Sequence, residues 1–168
     1  MINLFLRNIG RFLFLVLFQV LILDNIQLGA YLNPFMYVLF ILLMPFETPG
    51  WLLLIAAFLL GFSIDLFEHT PGIHASAMVL MAFIRPSVLK MIAPREGYEP
   101  NSYPRIHYYG VSWFLQYSAI LVFSHHLFLF YLEVFTFSGF FITLLRILLS
   151  TLFSIGLIIL SQFLIFKK

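Results

Sequence analysis

Residues 51–67 read WLLLIAAFLLGFSIDLF, a run in which Asp65 is the only charged side chain. A helix of this length covers roughly 25 Å, close to the hydrocarbon thickness of a bilayer. The rest of the chain is similar: hydrophobic residues make up 62% of its 168 positions and charged residues only 10%, against roughly 25% charged residues in an average soluble domain. A soluble domain of this size could not bury so much apolar surface. The sequence therefore predicts an all-α integral membrane protein.

Short polar breaks on both sides of this run divide the chain into six apolar stretches. The predicted spans are about 9–28, 34–46, 51–67, 72–92, 109–133 and 140–166. The first is expected to remain uncleaved, because Asp24-Asn25 occupies the place of a signal-peptide cleavage site. The second is short and flanked by prolines, which leaves five spans or a re-entrant segment open. The spans use most of the chain, so residues 1–168 are expected to form a single membrane domain.

The basic residues favour one orientation in the membrane. With the amino terminus inside, eight of the nine fall on the cytoplasmic side and Arg146 is the exception. The eight are Arg7, Arg11, Arg85, Lys90, Arg95, Arg105, Lys167 and Lys168. Both termini and the 93–106 loop are then cytoplasmic, and Arg85 and Lys90 are expected to extend towards the headgroups. The net charge of +2 is too small to indicate nucleic-acid binding.

Polar residues predicted to lie in the outer half of the spans form a candidate cluster: Gln19, Asp65, His125, His126 and Arg146. A charge at the centre of a membrane helix costs roughly 2.5–3.5 kcal/mol, so each charged group needs a partner or a cavity. The main interpretation is structural, with Asp65 paired to Arg146. A ligand cavity open to the outside, a proton relay and a metal site are the alternatives. Adjacent histidines point about 100° apart on a helix, which disfavours a shared metal ion.

The third and fourth spans also carry small residues at helical spacing. Ala57, Gly61 and Asp65 stand four apart, and Gly72 and Ser76 continue the pattern on the next span. Such faces let helix backbones approach closely, either within the protein or against a partner helix. The sequence has no nucleophile beside a base and no phosphate-binding glycine loop. It therefore predicts a protein that is not an enzyme and has no cofactor.

Two stretches carry a resemblance to a known family: Gly61-Phe-Ser-Ile-Asp65-Leu-Phe, and then Pro71-Gly72-Ile-His-Ala75. Together with the size and an arginine-flanked first helix that contains Gln19, they resemble the rod shape-determining protein MreD family. The resemblance implies a scaffold of the bacterial inner membrane that helps direct peptidoglycan synthesis and maintain cell shape. Its implied partners are an MreC-like protein, RodA, a class B penicillin-binding protein and, on the cytoplasmic side, MreB. The implied fold is similar to the six-helix substrate-binding subunits of energy-coupling-factor transporters.

That fold similarity provides the main alternative function, a vitamin-capture subunit of such a transporter. Those subunits dock through an alanine-rich face on the first helix, whereas residues 12–23 here read FLFLVLFQVLIL and contain no alanine. The outer breaks are also very short for lids over a ligand. A small channel or proton-coupled transporter would need polar groups through both halves of the membrane. The inner half of the spans is predicted to contain almost no polar side chains apart from the basic residues at its edge.

Overall fold

The computed structural model describes residues 2–26, 29, 31–99, 102–136 and 139–165, and within these ranges the chain is helical, without strands. Helix α1 spans Ile2–Phe18 and passes directly into a π-helical turn, Gln19–Leu23. The remaining helices are α2 (Leu39–Leu42), α3 (Gly50–Glu68), α4 (Ile73–Met91), α5 (Ile106–Val134) and α6 (Phe140–Ile165).

Five helical stretches in the described part of the chain are long and apolar enough to cross a membrane. They are Leu6–Leu23, Gly50–Glu68, Ile73–Met91, Ile106–Val134 and Phe140–Leu164. The predicted all-α membrane architecture is confirmed, and these stretches overlap five of the six predicted spans.

The predicted helical span at 34–46 is wrong. Only Leu39–Leu42 is helical there, and residues 32–36 have no regular structure. The prolines at 34 and 45 explain the difference, because proline lacks the backbone donor that a helix interior needs. The ten residues between them would span only about 15 Å as a helix, half of a bilayer core.

The same stretch nevertheless lies at the centre of the bundle. Each residue from 35 to 44 is at most 7% exposed. We call residues 33–44 the central segment. Its start contacts the middle of α6 through Asn33 and Phe35, and its end reaches Arg11, in the middle of α1. The central segment thus returns the chain towards the end of the bundle where α1 began, so α1 and α3 run in the same direction.

Helices α3 and α4 form a tight hairpin around Gly61. A Cβ atom at Gly61 would lie 2.5 Å from the Ala75 Cα and 2.5 Å from the His74 carbonyl oxygen. Ala57 and Asp65, on the same stripe, are also buried. The small residues of α3 therefore serve internal packing, the first of the two interpretations left open by the sequence.

The small residues of α4 are placed differently. Gly72 is exposed and precedes the helix with a φ of 86°, a left-handed conformation that glycine adopts readily. The Ser76 hydroxyl donates to the Ile73 carbonyl within α4 (2.9 Å).

The contact at Gly61 gives a prediction about folding. Gly61→Ala places a methyl group against the backbone of α4, so we expect it to lower the free energy of unfolding by about 1–3 kcal/mol. Gly156→Ala on α6 is the matched control, because a Cβ there meets no atom within 4 Å. Thermal unfolding of the purified protein in detergent should show a lower midpoint for Gly61→Ala only. Equal midpoints for the two variants would contradict the tight hairpin.

Candidate functional site

Several of the polar side chains buried in the bundle satisfy the backbone of the central segment. Gln19 shows this most clearly. Its amide nitrogen donates to the Pro34 carbonyl (3.0 Å), and its amide oxygen accepts from the Met36 amide (2.8 Å). The π-helical turn that begins at Gln19 lies where α1 meets this irregular chain. The predicted cluster residue Gln19 is therefore a partner of backbone groups that the central segment leaves outside any helix.

Serines of α6 hold the first part of the central segment. The Ser150 hydroxyl accepts from the Asn33 amide (3.1 Å), and the Ser154 hydroxyl accepts from the Phe35 amide (3.0 Å). Because the two serines are four residues apart, they lie on one face of α6 and meet alternate residues of the extended chain. Sequence reasoning missed both, although four-residue spacing of serines on a hydrophobic helix was a usable signal.

The last part of the central segment is held from α1, α4 and α5. The Tyr117 hydroxyl donates to the Leu42 carbonyl (3.1 Å), and Arg11 donates to the Leu43 carbonyl (3.4 Å). Arg85 donates to the Met44 carbonyl and, through Nε, to the Tyr117 hydroxyl (2.7 Å). Arg85 is only 1% exposed, so the expectation that it extends to the headgroups is wrong. Arg85 lies inside the bundle because the buried Met44 carbonyl, just after α2, needs a hydrogen-bond donor.

Asp65 performs a similar task at the beginning of α4. One carboxylate oxygen accepts from the His74 amide (3.0 Å) and the Thr70 hydroxyl (2.9 Å), and the other accepts from the Ala75 amide (2.9 Å). The first amides of a helix have no partner within the helix and attract a negative charge. The predicted burial of Asp65 is confirmed, and its carboxylate caps α4.

The predicted ion pair between Asp65 and Arg146 is wrong. Arg146 pairs with Glu133, with 3.1 Å between its nitrogen and the carboxylate oxygen, and its guanidinium lies 4.3 Å from the centre of the Phe130 ring. With the Asn33 amide oriented to satisfy both groups, its oxygen also accepts from Arg146 at 2.7 and 2.8 Å. Arg146 lies in the second turn of α6 and Glu133 lies in the last turn of α5, the preceding helix, so the two side chains are close together. The Asp65 carboxylate already accepts hydrogen bonds from two amides of α4.

His74 and His125 belong to a chain of hydrogen bonds that runs inwards from Glu68. His74 contacts Glu68 through Nε2 (2.9 Å) and the Tyr37 hydroxyl through Nδ1 (2.7 Å). The same hydroxyl contacts Nε2 of His125 (3.0 Å). Glu68, His74, Tyr37 and His125 form what we call the inner chain. Tyr37 joins two helices here, and its position inside an apolar stretch gave no signal of this role.

His126 lies beside the inner chain and has separate partners. Its Nδ1 contacts the Val122 carbonyl (2.8 Å), and its Nε2 lies 3.3 Å from the Ser154 hydroxyl. The structure thus gives adjacent histidines different surroundings, as their helical spacing predicts. Within the described ranges no group of three His, Asp or Glu side chains is arranged to hold a metal ion.

A cavity of about 330 Å³ opens at the end of the bundle where the inner chain begins. Its polar lining is mostly ionisable: Asp24, Glu68, His74, Glu133 and Arg146, with Asn33 and Thr70. Burial raises the pKa of Asp24 to about 7, the hydrogen bond from Gln19 opposes this rise, and the neighbouring Glu68 carboxylate adds to it. The Asp24 carboxyl group in the cavity can therefore exchange a proton near neutral pH.

The inner chain does not continue to the opposite end of the bundle within the described residues. His125 and Tyr117 are eight residues apart on α5, or about 12 Å. The fully buried Leu121 side chain lies on the same face of α5 between them. Ser118 is the one buried polar residue between these two positions on α5, and its hydroxyl donates to the Phe114 carbonyl of the same helix. The polar groups of the inner chain and those around Arg85 are thus two separate sets.

Comparisons with known proteins add no assignment: no family model, no curated protein and no solved structure matches this chain.

The separate partners of Asp65 and Arg146 lead to a prediction. Asp65→Ala leaves two helix amides and a hydroxyl without an acceptor, so we expect a loss of about 2–4 kcal/mol of stability. Arg146→Gln should cost less, because its pair with Glu133 is partly exposed. Unfolding of the single and double variants in detergent should be additive within roughly 0.5 kcal/mol. A larger coupling energy would restore the pairing of Asp65 with Arg146.

Proposed function

We propose that this chain is a non-enzymatic membrane scaffold of the bacterial cell-elongation machinery. In this proposal it binds the transmembrane helix of an MreC-like partner beside RodA and a class B penicillin-binding protein, with MreB on the cytoplasmic side. It would help position peptidoglycan synthesis and so maintain rod shape. The resemblance of residues 61–75 to the MreD family supports the choice of partners. The function itself would be positional, with helix packing in place of chemistry.

The observation that carries this proposal is an apolar groove between α4 and α5. It has a volume of about 660 Å³, and its lining is Leu80, Ile84, Ser124, Leu127, Phe128, Tyr131, Leu132, Phe135 and Thr136. None of these side chains is charged. Leu127 and Phe135 are exposed in the isolated chain. The groove is thus suited to an apolar occupant within the bilayer.

The spacing of the groove residues favours a helix as that occupant. Ser124, Phe128 and Tyr131 recur at intervals of four and three along α5, and Phe135, four residues further on, caps the end of that helix. This is the spacing of the seam between two packed helices. From Ser124 to Phe135 the seam is about 16 Å long, or three helical turns. One transmembrane helix of a partner, packed along three turns, fits this seam.

A second candidate function rests on the polar cavity. A volume of about 330 Å³ with convergent ionisable groups is in the range of small-molecule sites. This favours the alternative of a substrate-capture subunit of an energy-coupling-factor vitamin transporter. We prefer the scaffold, because much of the polar lining already has partners within the protein: Glu133 with Arg146, Glu68 with His74, and Thr70 with Asp65.

We also propose that the protein lies in the inner membrane with both termini in the cytoplasm. The distribution of basic residues supports this orientation. Arg7, Arg11, Arg85 and Arg105 lie at one end of the bundle, since Arg7 contacts the loop before α5 and Arg11 and Arg85 both reach the end of the central segment. Lys167 and Lys168 lie outside the described residues. The cavity with its acidic groups would then face the periplasm.

The groove can be tested by filling it. Leu127→Trp should reduce co-purification of the MreC-like partner by about tenfold or more and produce rounded cells, because the larger ring occupies the seam. Leu152→Trp on α6 is the matched control, since Leu152 is exposed outside the groove. Protein levels are measured by immunoblot for both variants.

Two outcomes would contradict the scaffold proposal. One is normal shape and partner recovery with Leu127→Trp at an unchanged protein level. The other is tight co-purification of a vitamin with the wild-type chain in the absence of the partner, which would favour the capture subunit.

The orientation is tested separately by cysteine labelling, for which the chain has no native cysteine to remove. His69, after α3, and Glu96, in the loop before α5, are both exposed. An impermeant thiol reagent added to intact cells should label His69→Cys and leave Glu96→Cys unlabelled until the cells are opened. The reverse pattern would overturn the proposed orientation.

A further inference from the structure

A second groove lies at the opposite end of the bundle from the polar cavity, and its mouth is strongly basic. It has a volume of about 400 Å³, and its lining is Arg7, Gly10, Arg11, Phe14, Leu15, Leu39, Leu43 and Arg105. Among these described lining residues there are three arginines and no carboxylate. The groove therefore combines concentrated positive charge with an otherwise apolar wall.

Aromatic contacts bring two of the arginines together. Arg7 donates to the Tyr103 hydroxyl (3.0 Å), and its guanidinium carbon lies 5.5 Å from the centre of the Tyr103 ring. The guanidinium carbon of Arg105 lies 4.9 Å from the centre of the same ring. One neutral side chain thus contacts two cations, an arrangement that cation–π attraction supports.

The third arginine adds to this concentration of charge. Arg11 follows Arg7 by four residues on α1, a spacing at which like charges repel each other. Burial lowers the pKa of the Arg105 guanidinium, and the nearby charge of Arg7 lowers it further. Like charges held close together repel, and a bound anion would reduce this repulsion.

The apolar part of the groove indicates that the anion also has an apolar part. Phe14 and Leu15 follow the arginines along α1, so the groove changes from charged to apolar over about 12 Å from Arg7 to Leu15. Leu39 and Leu43 of the central segment form the buried wall, and Phe14 is exposed in the isolated chain. Gly10 leaves the space between them open, because a Cβ there would meet no atom within 4 Å.

We propose that this groove is a binding site for one anionic phospholipid, with the phosphate at Arg7, Arg11 and Arg105 and an acyl chain along Gly10 and Phe14. A soluble phosphate compound would use only the charged part of the groove. The apolar continuation favours a lipid, and anionic lipids interact with basic groups at membrane surfaces. The proposal does not depend on the function assigned above, because it concerns a different part of the bundle.

Lipid binding at this site would also stabilise the folded protein. Arg11 donates to the Leu43 carbonyl, and Leu39 and Leu43 both belong to the central segment and line the groove. A lipid phosphate that orders Arg11 would therefore stabilise the end of the central segment. Binding to the folded state alone raises stability by mass action.

Native mass spectrometry of the purified full chain in a zwitterionic detergent tests the proposal. Dioleoylphosphatidylglycerol is the probe, and dioleoylphosphatidylcholine and glycerol 3-phosphate are the comparison compounds. We expect one phosphatidylglycerol to bind at least about tenfold more tightly than either, since charge-assisted hydrogen bonds and the acyl contact act together. Equal binding of the two lipids, or equally tight binding of glycerol 3-phosphate, would overturn the proposal.

Two variants with matched controls locate the site. Arg7→Gln removes one cation, which donates an exposed hydrogen bond to the Tyr103 hydroxyl, and Gly10→Leu fills the open space without changing the charge. Each should weaken phosphatidylglycerol binding by about tenfold. Arg95→Gln and Gly156→Leu are the controls, since Arg95 is exposed away from the groove and Gly156 lies on α6.

An equal loss of binding in Arg7→Gln and Arg95→Gln would show attraction to the overall charge and contradict a specific site. Unchanged binding in both Arg7→Gln and Gly10→Leu would exclude this groove. The thermal midpoint of each variant, measured without added lipid, shows whether it is folded.

Discussion

The central constraint on this protein is a stretch of irregular backbone buried in a bundle that crosses a membrane. Residues 35–44 are almost completely inaccessible, yet only four of them form a helix. Inside a bilayer, backbone groups outside a helix must find partners within the protein, because there is no water to replace them. Six side chains from α1, α4, α5 and α6 supply these partners: Gln19, Ser150, Ser154, Arg11, Tyr117 and Arg85. The packing of the helices around the centre follows from this requirement.

The same constraint explains why a hydrophobic protein contains so many buried polar groups. Asp65 has a similar role at the start of α4, where its carboxylate accepts hydrogen bonds from two amides of the first turn. Gly61 makes this possible by allowing α3 to approach the beginning of α4. The stretch that resembles the MreD family therefore forms a structural hairpin. In the scaffold proposal, this hairpin contributes shape and carries no chemistry.

The sequence predicts most of this architecture but little of its polar connectivity. Five of the six predicted spans correspond to helices long and apolar enough to cross a membrane, because length and hydropathy are local properties of the chain. The second stretch has the same composition but fails as a helix, since Pro34 and Pro45 leave too few residues between them. Composition alone does not show that this stretch is too short for a spanning helix, although the positions of the two prolines indicate it.

The partners of polar residues depend on which helices meet, and a single sequence does not contain that information. Asp65 and Arg146 have opposite charges and similar predicted depths, so they looked like a pair. In the structure each is satisfied by a group closer along the chain, α4 for Asp65 and Glu133 for Arg146. Arg85 shows the same difficulty, because its position in the last turns of α4 suggested an outward-facing group. It is buried against the Met44 carbonyl, which is 41 positions away in the sequence.

The most direct test of this account is hydrogen–deuterium exchange of residues 33–44 in a lipid nanodisc. The central segment should exchange slowly in the wild-type protein, as α3 does, and rapidly in Gln19→Leu, which removes the partner of the Met36 amide. Gln116→Leu is the control, since Gln116 is exposed on α5. Slow exchange in Gln19→Leu, equal to that of the wild type, would mean that the central segment does not depend on side-chain partners and would contradict the account.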